Sequence, residues 1–201
     1  MSGTNDRKER ILNPKPGVSG SSSQDLVRLA FELLCHSKEY AEQHDGNVSI
    51  YTIAGIPVLF SALRALLIEA NTGMFGVGAR ERLKDLSNLN ELRFIDKYYA
   101  FNNDVLKDLR LAYEVRNEIA HPSHLPAGTE SGVPEYLNEL KKRDLLQSGI
   151  WLSQLQSHRL FYWVNEIFEQ VVSVLLTAHH SDPESEKEHL ISWLRYKELK
   201  L

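Results

Sequence analysis

Asn103-Asp104-Val105-Leu106-Lys107-Asp108-Leu109-Arg110-Leu111-Ala112-Tyr113-Glu114-Val115-Arg116-Asn117-Glu118-Ile119-Ala120-His121-Pro122 is the stretch on which the fold turns. Apolar or small side chains recur at Val105, Leu109, Ala112, Tyr113, Ile119 and Ala120. That i, i+3, i+4, i+7 spacing predicts a helix from about Asn103 to Ala120 with one buried face. At about 100° per residue, Arg116 falls near the middle of the same face. A permanent charge on a face that wants burial needs a partner or a job. Asn117 and His121 are i, i+4 neighbours on an adjoining face. Pro122 disfavours helical geometry at the residue before it, so the His121 imidazole is expected at or just past the helix end.

Upstream, residues 1–23 are rich in Gly, Pro, Ser and mixed charge and are expected to form a disordered tail, its Arg7, Lys8 and Arg10 merely solvated. A serine run offers an N-cap to a helix from about Gln24 to His44, with Cys35 packed and His36 on its surface. A second helix is expected over about Ile50 to Asn71, kinked or started by Pro57. Its polar residues Arg64 and Glu69 are surface or line a site. The Gly73-Met74-Phe75-Gly76-Val77-Gly78 connector has no Lys-Ser/Thr ending and no preceding strand, so it does not meet the phosphate-loop pattern. Short helices follow at about Ala79–Leu89 and Leu92–Phe101, and Asn102-Asn103-Asp104 supplies a break and an N-cap.

Downstream, Pro122 to Val133 reads as a loop, Pro134 to Leu146 as a helix carrying the run Lys141-Lys142-Arg143, and Ile150 to Ala178 as one long apolar helix. His158 and Arg159 are expected on its surface. A terminal helical extension is expected over 181–201, and 24–180 forms the main domain. His179, His180, Asp182 and His189 lack the spacing of a closed metal site, and no metal or other cofactor is expected. With no segment patterned as a strand, the fold class is all-α, a bundle of five to seven helices.

The chain has 201 residues, a net charge of −4 and a single cysteine. A protein that coats nucleic acid nonspecifically is usually strongly basic, so any contact with RNA must be local. One cysteine excludes an internal disulfide. The first residues have no apolar core of the kind a signal peptide needs, and the apolar runs are broken by Arg64 and by Asn165, Glu166 and Glu169. A cytoplasmic protein without a membrane span is expected.

Arg116-Asn117-Glu118-Ile119-Ala120-His121 resembles the Arg-x(4–6)-His motif of HEPN domains, an all-helical superfamily in which a polar residue, often Asn, follows the arginine. The resemblance is specific over about Asp104 to Pro122. It implies a metal-independent endoribonuclease, of a defence or toxin branch, in which two motif helices pair across a homodimer to build one composite site. Arg116, Asn117 and His121 would be its catalytic residues. The alternative it implies is a non-catalytic nucleotide-binding or protein-interaction module. The spacing agrees with a shared site, since Arg116 and His121 lie roughly 140° apart around one helix and cannot easily reach one point. Lys107, Arg110, His124, Lys141, Lys142 and Arg143 are candidate contacts to the RNA backbone. The partners expected are an RNA substrate, a second copy of the chain, and an antitoxin or sensor protein.

Overall fold

The computed structural model describes residues 22–44, 47–72, 78–122, 134–149 and 151–179. The N-terminal tail to residue 21, the glycine connector at 73–77, the loop holding His124 and the extension beyond 180 lie outside the described residues. Seven α-helices and one short 3-10 helix make up the described fold: α1 (Ser22–Gln43), α2 (Tyr51–Thr72), α3 (Ala79–Asn88), α4 (Glu91–Tyr98), α5 (Asn103–Ala120), α6 (Glu135–Lys142), the 3-10 helix (Trp151–Leu155) and α7 (His158–His179). Among the described residues there is no strand, only an isolated antiparallel bridge between Val48 and Ser157. The molecule is an all-α bundle.

α1 and α2 form an antiparallel pair. The start of α1 meets the end of α2, where Glu69 accepts hydrogen bonds from the Ser22 hydroxyl at 3.1 Å, the Ser23 amide at 3.2 Å and the Ser23 hydroxyl. A carboxylate from another helix thus supplies the cap that α1 needs for its first amides. α7 lies along α2 in the same direction. Thr52 donates to the Ser157 carbonyl near the two starts, and Gly55 faces the Phe161 ring one turn further on.

α2 is long and apolar enough to cross a membrane by length and composition, and 44% of its most apolar window is buried inside the fold. Leu59, Phe60 and Leu63 of α2, Leu109 and Ala112 of α5, and Val164, Ile167 and Phe168 of α7 converge on a void of about 10 Å³. That is barely room for one water, so the three helices close on each other as a packed core. α2 runs unbroken through Pro57, which therefore sits inside the helix and does not start it.

The buried face of α5 differs from the expected one. Leu106, Leu109, Leu111, Ala112 and Val115 are buried, Val105, Tyr113 and Ile119 are half-buried, and Ala120 is exposed. Leu109 and Ala112 are buried as expected, and Arg116, which falls between them around the helix but one turn nearer its end, is half-buried.

The expected helix from Ile150 is also divided. The chain makes the 3-10 turn, breaks at Gln156 and restarts at His158. The restart is fixed from far away: the Asn47 carbonyl accepts the His158 amide at 2.8 Å, and the Asn47 side chain accepts the Arg159 amide at 3.0 Å and the Ser157 hydroxyl at 3.1 Å. Ser157 adds a local cap, its hydroxyl accepting the Leu160 amide at 3.3 Å. The fold thereby turns His158 inward. It is 1% exposed, with Nδ1 2.9 Å from the Ser37 hydroxyl of α1, whereas the sequence pattern predicts it on the surface.

Candidate functional site

The motif helix begins where its sequence says it should. Asn102 is the N-cap, accepting the Asp104 amide at 2.9 Å. Its end is equally local. Ala120 is the last helical residue, and His121 caps it with φ −138° and ψ 71°, its amide donating to the Asn117 carbonyl at 2.8 Å. Pro122 excludes a further turn by restricting the residue before it. The His121 side chain is exposed, as is Pro122.

Arg116 and Asn117 are brought together. The Arg116 Nη1 donates to Asn117 Oδ1 at 3.1 Å, and the guanidinium carbon stands 5.6 Å from the centre of the Tyr113 ring one turn earlier. Tyr113 is itself held, its hydroxyl donating to Glu91 of α4 at 3.0 Å. Burial first, then the Glu91 charge, pushes the Tyr113 phenol above its usual range, so it remains a donor. The other Glu91 oxygen is 3.6 Å from Arg64 of α2. The motif arginine is thus the outer end of a chain running Arg64, Glu91, Tyr113, Arg116 across three helices.

Neither Arg64 nor Glu69 is a loose surface charge. Arg64 donates to the carbonyls of Leu89, at 3.0 Å, and Leu86, the last turn of α3. Glu69 is engaged by Ser22 and Ser23. Next to the motif, Glu118 faces Tyr136 of α6; burial and then the Glu118 charge hold that phenol well above its usual range.

The candidate RNA contacts separate into two groups. Lys107 and Lys141 are exposed, and Arg110 is exposed with Asp96 3.7 Å away. Lys142 lies 3.8 Å from Glu139. Arg143 is committed to protein: it bonds Asp108 of α5 at 2.7 Å and Glu139 at 3.2 Å, and lies over the Trp163 ring at 5.6 Å. The bond from Arg143, then its charge and those of Lys107 and Lys142, hold the Glu139 carboxyl below its usual range. His124 lies outside the described residues. Among the described residues, no three His, Cys, Asp or Glu side chains gather as a metal site.

Sequence reasoning missed the surroundings of His158. A cleft of about 410 Å³ is lined by Arg143, Asp144, Leu145, His158, Arg159, Tyr162, Trp163 and Glu166. One signal was available: Arg159, Tyr162, Trp163 and Glu166 share a helical stripe at i, i+3, i+4, i+7.

Comparison of the chain with family models, curated proteins and solved structures returns no match. The HEPN resemblance therefore rests on the motif and the all-helical architecture.

Proposed function

We propose that the chain is a metal-independent endoribonuclease that acts as a homodimer, with Arg116, Asn117 and His121 of both copies forming one site. The observation that carries this reading is the end of α5. It holds a half-buried guanidinium braced by Tyr113 and Asn117, and an exposed imidazole immediately past the last turn. Two such ends facing each other present two arginines and two histidines to one phosphodiester. The 2′-hydroxyl of the RNA attacks the adjacent phosphorus, and the 5′-oxygen leaves. His121 takes the hydroxyl proton or returns one to the leaving oxygen, the role of general base or acid that an imidazole can fill. Arg116 binds the phosphate and offsets the charge that grows on its oxygens. Asn117 orients the phosphate or the ring. The products are a 2′,3′-cyclic phosphate and a 5′-hydroxyl. The reading carries with it a cytoplasmic location and, for a toxin or defence role, a protein that restrains the activity.

The test is cleavage of a mixed RNA pool in EDTA. Arg116→Ala and His121→Ala are each expected to lower the rate by about 100- to 10,000-fold while the variants stay folded and dimeric by light scattering. Undiminished cleavage in both variants overturns the reading. The same bond from Arg116 to Asn117 fits one second reading, a non-catalytic nucleotide-binding or interaction module, because it engages only the amide oxygen and leaves the Asn117 NH2 to donate to a bound phosphate. That module shows no cleavage of any RNA by the unaltered protein but retains nucleotide or partner affinity.

A further inference from the structure

Arg116 is tied to the other helices through one side chain. Among the described residues its guanidinium meets Asn117 Oδ1 at 3.1 Å and the Tyr113 ring at 5.6 Å, and it has no carboxylate partner. Asn117 is its neighbour on α5, so it moves with Arg116 and cannot fix where the guanidinium stands against the bundle. Tyr113 can. It lies one turn nearer the middle of α5, and the face of an aromatic ring attracts a cation within about 6 Å.

Tyr113 is in turn anchored in two other helices. Its ring crosses that of Phe60, a core residue of α2, at 5.4 Å and 84°. Its hydroxyl donates to Glu91 of α4 at 3.0 Å. The Glu91 side chain is 13% exposed, and its other oxygen is 3.6 Å from Arg64, which also grips the last carbonyls of α3. Arg64 therefore compensates the Glu91 charge, and the carboxylate holds the phenol without drawing Arg116 inward to pair with it. An arginine without such a brace samples many rotamers on a helix surface. A group that stabilises a transition state acts only while it is held in place.

We infer that Tyr113 and Glu91 are positioning residues for Arg116. The bond between phenol and carboxylate fixes the ring on which the guanidinium rests. It keeps Arg116 clear of any acid and turned to the phosphodiester of the proposed site. Neither Tyr113 nor Glu91 touches RNA. What Arg116 meets rests on the ribonuclease reading; the bracing of Arg116 does not.

Three variants separate this role from packing. Tyr113→Phe keeps the ring against Phe60 and removes only the hydroxyl. Glu91→Ala removes the acceptor of that hydroxyl, and Glu91→Gln restores an acceptor without the charge. Steady-state cleavage of an RNA oligonucleotide in EDTA should show kcat lower by about tenfold to a hundredfold in Tyr113→Phe and in Glu91→Ala. KM should stay within about threefold, since the charge that attracts RNA is kept and only its alignment is lost. Glu91→Gln should recover most of the loss. In an Arg116→Ala background Tyr113→Phe should cost nothing further, because no guanidinium is left to place, whereas a residue acting through stability alone would add its cost there. Unchanged helical circular dichroism checks each fold, and Tyr113→Phe, the mildest change, carries the test if Glu91→Ala fails to fold.

A second readout needs no activity. The Arg116 Nε–H resonance, assigned by its loss in Arg116→Ala, should be displaced from those of exposed arginines by the Tyr113 ring current. It should move toward them in Tyr113→Phe and Glu91→Ala, and stay in Glu91→Gln. Cleavage that depends on Arg116 yet keeps its full kcat in Tyr113→Phe overturns the inference and leaves the ribonuclease reading standing. If the unaltered protein cuts no RNA, the ribonuclease reading falls, and movement of the Arg116 resonance still upholds the bracing. A resonance unmoved by Tyr113→Phe and Glu91→Ala overturns the inference in either case.

Discussion

Arg64 sits in the most apolar helix of the molecule, yet its guanidinium reaches the carbonyls of Leu86 and Leu89 and the carboxylate of Glu91. A helix end buried without such donors leaves carbonyls unsatisfied, at about 1–3 kcal/mol each. Arg64→Ala is therefore expected to lower the unfolding free energy by about 1–3 kcal/mol in urea titration, and Arg64→Lys to recover little, since one ammonium cannot replace a planar fork on two carbonyls. Gly55 makes the complementary point about size. A methyl group there would fall within the Phe161 ring, so Gly55→Ala should destabilise by about 1–3 kcal/mol through overpacking, read by the same titration. Both roles were closed to sequence reasoning. Periodicity reports which face of α2 is apolar, and it carries no information about which carbonyl or ring will arrive from elsewhere. The same limit explains His158, whose inward turn depends on Asn47 and Ser37 on distant segments. The placement of Arg116, Asn117 and His121 at the end of α5 was legible because the signals that set it, helical spacing and the proline at 122, lie within a few residues.

Between neighbouring elements, α3 and α4 are bracketed by charge. Asp85 accepts from Lys97 at 2.6 Å and from the Tyr98 hydroxyl at 2.8 Å, and Glu81 accepts from Lys97 at 3.2 Å. The bond from Lys97, then that from Tyr98, holds the Asp85 carboxyl below its usual range. A carboxyl depressed in the folded state stabilises fully above its unfolded pKa of about 3.9 and loses that contribution as pH falls through the lower folded value. Wild type should therefore exceed Asp85→Asn in stability at pH 6, with the gap closing as urea titrations are repeated toward pH 3. A gap constant with pH would show that Asp85 acts otherwise than by its charge. The end of α6 gives a second test at this scale. Asp144 takes the left-handed conformation that glycine adopts without strain. Asp144→Gly should raise the melting temperature, gaining about 0.5–1 kcal/mol once the small loss of the exposed ion pair with Arg159 is counted. Element boundaries were legible where the caps are local, as at Asn102 and His121. The start of α7 was not, because its first amides are taken by Asn47.

For the molecule as a whole, the all-α class follows from the period of the apolar residues, and the packing of α2, α5 and α7 follows from their three apolar faces. What the pattern leaves open is which segments tie the ends of the bundle together. The answer is the turn between α1 and α2. Asn47 and Ser49 bond the backbone around Gln156, Ser157 and His158, and Thr52 adds a bond to the Ser157 carbonyl. Asn47 and Ser157 are 110 positions apart. On a ribosome adding about 5–20 residues per second, that separation is roughly 5–20 s of synthesis. The α1–α2 pair leaves the exit tunnel early, with Leu59, Phe60 and Leu63 still lacking α7. For that interval the nascent chain is a hydrophobic hairpin whose latch has not been made, and it is then that a chaperone has the most to hold.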